Sequence, residues 1–204
     1  MSMRISRALR AFLLVLTLSA AALPLAGCGV NNIPSYEEQA KAAWAQVLNQ
    51  YQRRADLVPN LVATVKGAAD FETKTLQAVV EARAKVGQMQ LPPDILTNPQ
   101  AMQVFEQNQG ALTSALSHLM VVVEQYPDLK ANANFQTLQA QLEGTENRIA
   151  VARRDYIDAV RVYNTELKTF PGRIWAMILY SGNKEMAQFT ADEKSMTVPA
   201  VNFN

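Results

Sequence analysis

The chain has 204 residues, with 19 basic and 18 acidic side chains, a formal net charge of +1, one histidine and one cysteine. That balance lacks the clustered basic footprint of a nucleic-acid-binding protein, and it offers too few histidine and cysteine ligands for the usual metal clusters. A lone cysteine also excludes disulfide stapling, so stability has to come from packing.

The N-terminal segment reads as an export signal. Arg4, Arg7 and Arg10 precede an apolar run from Ala11 to Leu23, Pro24 interrupts it, and small residues lead into Leu25-Ala26-Gly27-Cys28. The run is shorter than the ~20 residues of a spanning helix. The tetrapeptide resembles the lipobox of bacterial lipoproteins, which predicts a signal peptide over 1–27 and a lipidated Cys28. The competing readings are a free thiol at the end of a signal peptide or an uncleaved anchor. The leader takes three basic residues and no acidic ones, leaving 177 residues with a net charge near −2. Attachment to a membrane would then rest on acyl chains, at ~0.8 kcal/mol per buried methylene; one chain holds marginally and two hold stably. Gly29 stands where an aspartate would favour inner-membrane retention in many diderm bacteria, so the outer membrane is the favoured address.

Residues 28–34 read as a short linker, 35–182 as a helical bundle and 183–204 as a polar tail. Ser35 and Glu38 have the capping-box spacing and predict the start of helix 1. Its seam runs through Ala40, Trp44, Val47, Tyr51, Val58, Leu61, Val65 and Ala68, with Arg54 on one seam position. Because the register continues through Pro59, one kinked helix is expected; the rival reading has Asp56 capping a new helix. Gly67 to Asp70 marks a break. Helix 2 carries Leu76, Val79, Val80 and Val86 to about Gln90, and Pro92, Pro93 and Pro99 bracket a loop. Helix 3 follows from Pro99, with Phe105, Leu112, Ala115, Leu119, Val122 and Tyr126 on its seam, and ends at Tyr126-Pro127. Helix 4, from about Asn134 to Thr169, carries Phe135, Leu138, Leu142, Ile149, Ala152, Tyr156, Tyr163 and Leu167 until Pro171-Gly172 stops it. No alternating strand pattern occurs. The expected fold is all-α, an antiparallel up-and-down four-helix bundle with long helices. The tail after Gly182, ending in Val198-Pro199-Ala200-Val201, is expected to be extended or disordered.

Catalytic patterns are missing: no phosphate-cradling glycine loop, nucleophile elbow or zinc-protease motif occurs, and His118 beside Ser117 points elsewhere on a helix. A non-enzymatic protein without cofactor or metal is expected. The candidate site is polar instead. Arg54, Asp56 and Asn60 on helix 1, Arg83 on helix 2, and Glu146 on helix 4 lie amid apolar rows, with Glu143, Asn147, Arg148, Arg153 and Asp155 nearby. Buried charges must be paired, so these groups are expected to meet in a polar layer that holds a ligand or fixes the register of the helices. The second candidate is the apolar stretch from Phe170 to Tyr180, with Trp175, which reads as a lid over the bundle end or as a membrane contact beside Cys28.

The blocks Asn31-Asn-Ile-Pro34, Ala43-Trp44, Gln52-Arg-Arg-Ala-Asp-Leu-Val-Pro-Asn-Leu-Val62, Thr64-Val-Lys-Gly67, Tyr126-Pro-Asp-Leu-Lys130 and Phe135-Gln-Thr-Leu-Gln139 resemble the LemA family. So do Leu142-Glu-Gly-Thr-Glu-Asn-Arg-Ile-Ala150, Ala152-Arg-Arg-Asp-Tyr156, Tyr163-Asn164 and Phe170-Pro171. The resemblance implies an up-and-down four-helix bundle outside the cytoplasmic membrane. It assigns no catalytic residue, and the lipobox-like leader departs from the N-terminal anchor common in the family. The expected partners are the membrane, through the lipid anchor, and another envelope protein. The alternative is a bundle that binds a lipid or peptide, with Arg54 and Arg83 holding an anionic group.

Overall fold

The computed structural model describes residues 29–67 and 71–190. Among these, every regular element is helical: α1 (Asn32–Lys66), α2 (Thr73–Gln88), α3 (Pro99–Val123), α4 (Pro127–Lys130), α5 (Ala133–Lys168) and α6 (Gly172–Ile178), with a 3-10 turn at Ile95–Thr97. The all-α expectation is borne out. Asp70 and Ala68 lie outside the described residues, as do residues 1–28, on which the signal-peptide and lipidation expectations fall, and the stretch from Val198 to Val201.

Helix α1 begins at Asn32, a turn earlier than the capping-box pattern at Ser35 suggests. Gly29 adopts a positive φ of 97°, which lets the chain reverse so that the Asn32 N–H donates to the Gly29 carbonyl at 3.1 Å. Ile33 is fully buried; extending the helix back over it buries an apolar side chain that a Ser35 start would leave on a loop. Ser35 stays exposed within the first turns.

The helix then continues through Pro59, as the seam register predicts, and Asp56 caps nothing. Asp56 lies in mid-helix and accepts a bond from Gln52 Nε2 at 2.7 Å. Proline cannot donate to the carbonyl four residues earlier, so Ala55 loses its usual partner. Arg83 of α2 replaces it, its Nε donating to the Ala55 carbonyl at 3.1 Å.

Asparagines start two of the other helices. Asn98 Oδ1 accepts from Ala101 N at 3.1 Å, with Pro99 in the first turn of α3. Asn132 Oδ1 accepts from the N–H groups of Asn134 and Phe135 at 2.9 and 3.2 Å. Each accepts from donors the helix leaves free at its start. Helix α3 ends at Val123, before the predicted Tyr126-Pro127, and Pro127 instead opens the short α4.

Helices α1 and α5, about 52 and 54 Å long at 1.5 Å per residue, run antiparallel against each other. Asn32 Nδ2 meets Glu166 Oε1 at 3.1 Å at one end, the Trp44 and Tyr156 rings lie 5.4 Å apart, and Arg54 meets Glu146 midway. Helices α2 and α3 pack on each other, and α2 with the C-terminal part of α3 covers the half remote from Gly29. There Val58, Leu61 and Val65 join Val79, Leu112, Leu119, Phe135 and Leu142 in one core. The half nearer Gly29 has its own core, with Ile33, Trp44 and Tyr51 against Phe105, Tyr156 and Tyr163.

The second core is closed by chain that reads as tail in the sequence. Residues 183–190 form a non-helical strap that buries Met186, Ala187 and Phe189. The Asn164 amide pairs with both backbone groups of Met186, at 2.9 Å each. Tyr156 Oη donates to the Ala187 carbonyl at 2.8 Å, and Ala187 N–H donates to Leu96 O at 2.7 Å. Glu106 then accepts from Thr190 N at 3.0 Å and from Thr190 Oγ1 at 2.6 Å. Phe189 reaches the Tyr156 ring at 5.3 Å and takes the Arg153 guanidinium over its face at 4.3 Å. Met186 and Phe189 are an apolar island in a polar stretch; helical periodicity gives no weight to two such residues outside a helix.

Candidate functional site

Arg54 separates the two cores. It is 1% exposed, and its guanidinium donates to Thr113 Oγ1 at 2.6 Å, Glu146 Oε1 at 2.9 Å, Gln109 Oε1 at 2.7 Å and the Gln109 carbonyl at 3.1 Å. Its face lies over the Tyr51 ring, 5.0 Å from the centroid. Gln109 and Thr145 are buried in the same layer, and Thr145 Oγ1 returns its proton to the Gln141 carbonyl at 2.7 Å. The position follows from spacing. Arg54 falls between Tyr51 and Val58 on the inward seam, Gln109 between Phe105 and Leu112, and Thr145 between Leu142 and Ile149. A guanidinium buried there needs several acceptors, and its planar fork reaches both α3 and α5 from one point. Gln109, Thr113 and Thr145 are the residues that sequence reading missed, although Gln109 and Thr145 occupy readable seam positions.

The expected polar layer is smaller than the sequence suggests. Glu146 joins Arg54, with its side chain 41% exposed. Arg83 does not reach Arg54; it serves the Ala55 carbonyl instead. Asp56 and Asn60 face outward, and Asn60 lends its carbonyl to Thr64 Oγ1 at 2.9 Å. Glu143, Asn147, Arg148 and Asp155 are exposed, and Arg153 pairs with Glu106 at 3.5 Å beneath the strap. Trp175 is far from the layer, half-buried against the core nearer Gly29.

Two grooves flank Arg54. One, of about 780 Å³, runs between α1, α2 and the start of α3, where Tyr51, Ala55, Arg83, Met89, Phe105 and Gln109 line it. The other, of about 420 Å³, lies between α3 and α5 and is lined by Thr113, Leu116, Met120, Leu142 and Glu146 among others. Burial raises the Tyr51 phenol above its ordinary value, against the lowering influence of Arg153 and Arg54, so Tyr51 stays a neutral phenol at any physiological pH. Among the described residues no group of three or more histidine, cysteine or acidic side chains is placed to hold a metal ion. No described helix is long and apolar enough to cross a membrane.

Comparison with known proteins follows the same lines. The chain is 29% identical over 92 residues to magnetosome protein MamQ 2 of Paramagnetospirillum magneticum, covering 45% of this chain and 33% of that protein. It is 31% identical over 80 residues to magnetosome protein MamQ of Magnetospirillum gryphiswaldense, covering 39% of this chain and 29% of that protein. The chain thus spans about a third of the length of the curated relatives it matches. The LemA family matches residues 43–203, a range that holds every block of the resemblance except Asn31 to Pro34. With the match extending over more than half of its length, the chain belongs to the LemA family.

Proposed function

We propose that this protein is a lipid-anchored component of the bacterial cell envelope, an up-and-down four-helix bundle that binds or scaffolds membrane proteins and catalyses nothing itself. The observation that carries the reading is the position of Gly29. It follows the lipobox-like Leu25-Ala26-Gly27-Cys28 directly in sequence, and it sits at one end of the paired α1 and α5 rods. Acylation at Cys28 would hold that end at the bilayer and carry the Arg54 layer with its two grooves roughly 30 Å outward, from 1.5 Å per helical residue. Grooves held at that height suit a partner's extramembrane segment. The absence of aspartate after Cys28 favours the outer membrane.

Replacement of Cys28 by alanine, followed by cell fractionation and by cross-linking in intact cells, tests this. The wild type is expected in the membrane fraction with a specific cross-linked protein, and the variant is expected to lose both. Unchanged membrane association of the variant would reject the lipid anchor. A wild type without any specific cross-link under several growth conditions would reject the scaffold.

The larger groove favours a second reading, in which the bundle holds a lipid or peptide. Its volume falls within the range of small-molecule sites, and Arg83 stands beside the apolar walls. Native mass spectrometry of gently purified protein would then show a bound molecule. A clean apo mass, with melting unchanged by added lipids, would remove this alternative.

A further inference from the structure

Ten large hydrophobic side chains are exposed among the described residues. Val80, Val104, Val121, Val151 and Val162 are scattered singly along the long helices, which is ordinary for a protein surface. The other five, Phe170, Ile174, Met177, Ile178 and Leu179, fall within residues 170–179, with exposures from 44% to 82%. A concentration of that kind marks an interaction surface.

Helix α6 explains the cluster. Its inner face, Gly172, Trp175 and Ala176, has helical spacing and packs toward the core. The outer face, Ile174, Met177 and Ile178, has the same three- and four-residue spacing and faces away. Arg173 is the one charged residue of the helix. A helix apolar on both faces belongs inside protein or inside lipid, and here only one face meets protein. Nothing in the rest of the described chain covers the other.

Its location selects the occupant. A Cβ placed on Gly29 would lie 3.5 Å from Pro171 Cγ, so the apolar face shares the end of the rod at which the leader joins. Charge agrees with an anionic surface. No acidic residue occurs between Phe170 and Lys184, and Arg173 and Lys184 are exposed. Neighbouring acids are engaged: Glu166 by Asn32, Glu185 by Lys168, and Glu37 by Lys41 and Asn183. A helix of seven residues, about 10 Å long, is too short to span a bilayer but matches the depth of an interfacial element.

We propose that the outer face of α6, with Phe170 and Leu179 at its margins, inserts into the headgroup region of the lipid bilayer. The inference rests on the membrane-attached reading above and deepens it. A tether at the N-terminus alone leaves the rod free to swing. A second contact fixes its orientation, and because the two contacts belong to one molecule the second forms at high effective concentration.

The test uses the protein purified from membranes with Cys28 intact, whose sulfur the attached reading makes a thioether closed to labelling, and with a single cysteine introduced as Ile178→Cys, or as Ser117→Cys on exposed α3, and labelled with the fluorophore NBD. Each protein is mixed with vesicles of phosphatidylcholine and phosphatidylglycerol that contain doxyl-labelled lipid, and the vesicles are floated. The proposal expects the label at 178 to be quenched several-fold more than the label at 117 on chains that float. Floating chains with equal quenching at both sites would overturn it while leaving attachment intact. A blue-shifted label at 178 without doxyl quenching would also overturn it, by pointing to a second copy as the occupant. Chains that fail to float would remove the attached reading and this inference together.

Discussion

The bond from Arg83 to the Ala55 carbonyl makes a quantitative claim about how α1 tolerates a proline in its interior. Pro59 removes the one backbone donor that would satisfy Ala55, which is itself 7% exposed. Leaving a buried acceptor unpaired costs about 1–3 kcal/mol. Because Arg83 is an exposed residue and water can reach part of its place, Arg83→Ala is expected at the low end, ~1 kcal/mol. That is a fall in Tm of about 2–4 °C for a domain of this size. In a Pro59→Ala background the new N–H bonds Ala55, so the same Arg83 truncation should cost under ~0.5 kcal/mol, the range of an ordinary surface change. A double-mutant cycle by urea unfolding, followed by circular dichroism with the m-values held equal, reads the difference directly. Equal costs of Arg83→Ala in both backgrounds would refute the replacement of a lost helix donor by Arg83.

At the Arg54 layer the two partners should respond unequally. Glu146→Leu removes the counter-charge of a buried guanidinium and is expected to cost about 1–3 kcal/mol, because Glu146 is 41% exposed and Arg54 keeps Thr113 and Gln109 as acceptors, whereas Arg54→Met combined with Glu146→Leu should be near neutral or stabilising; a double variant as unstable as the single one would contradict this in chemical denaturation. Gly172→Ala is expected to dislodge α6, because a Cβ there collides with the Glu166 carbonyl and lies 2.7 Å from its Oε1; unchanged trypsin cleavage at Arg173 would count against that. Burial raises the phenols of Tyr51, Tyr156 and Tyr163 above the ordinary 10.0. The folded state therefore holds these protons more tightly than the unfolded chain, so their contribution to stability is constant below about pH 10 and is lost as pH rises above it. Tyr156→Phe should lose the bond to Ala187 yet soften that alkaline fall, and a fall of undiminished steepness would assign it elsewhere.

Most of the helical architecture was legible because each long helix keeps one apolar row in register. Trp44, Tyr51, Leu61, Phe135, Ile149 and Tyr156 are buried where three- and four-residue spacing puts them. Arg54 was legible by the same logic, as a charge on a seam. Its partnership with Arg83 was a misreading, since periodicity tells which side of a helix a residue occupies but not which neighbour answers it. Two other errors have one cause. The start of α1 and the strap at 183–190 are both set by tertiary burial, of Ile33 in the first case and of Met186 and Phe189 in the second, and neither leaves a local signature. The glycine at 172 reads as a helix stop; that it is also the one residue able to pass the Glu166 carbonyl follows only from the fold.

The polar layer gains a further meaning from the length of the α1–α5 pair. Two long antiparallel helices with repeating apolar seams have alternatives one heptad apart that bury nearly the same surface. In the observed register Trp44 faces Tyr156 and Arg54 faces Glu146. Sliding α5 by seven residues would bring either Arg153 or Gln139 to the position of Glu146. Arg153 would put two guanidinium groups together, and Gln139 would leave the buried charge without a counter-charge. Either slip replaces a charge-paired cation by an uncompensated one, at a cost of about 1–3 kcal/mol that apolar rows buried almost equally in both registers do not offset. The same slip would separate Asn32 from Glu166 and take Asn164 and Tyr156 away from the strap they hold. Arg54 thus fixes which residues of α5 arrive beside Gly29, and with them the position of α6. A side chain at mid-rod sets the composition of the end that the proposed anchor would hold at the membrane.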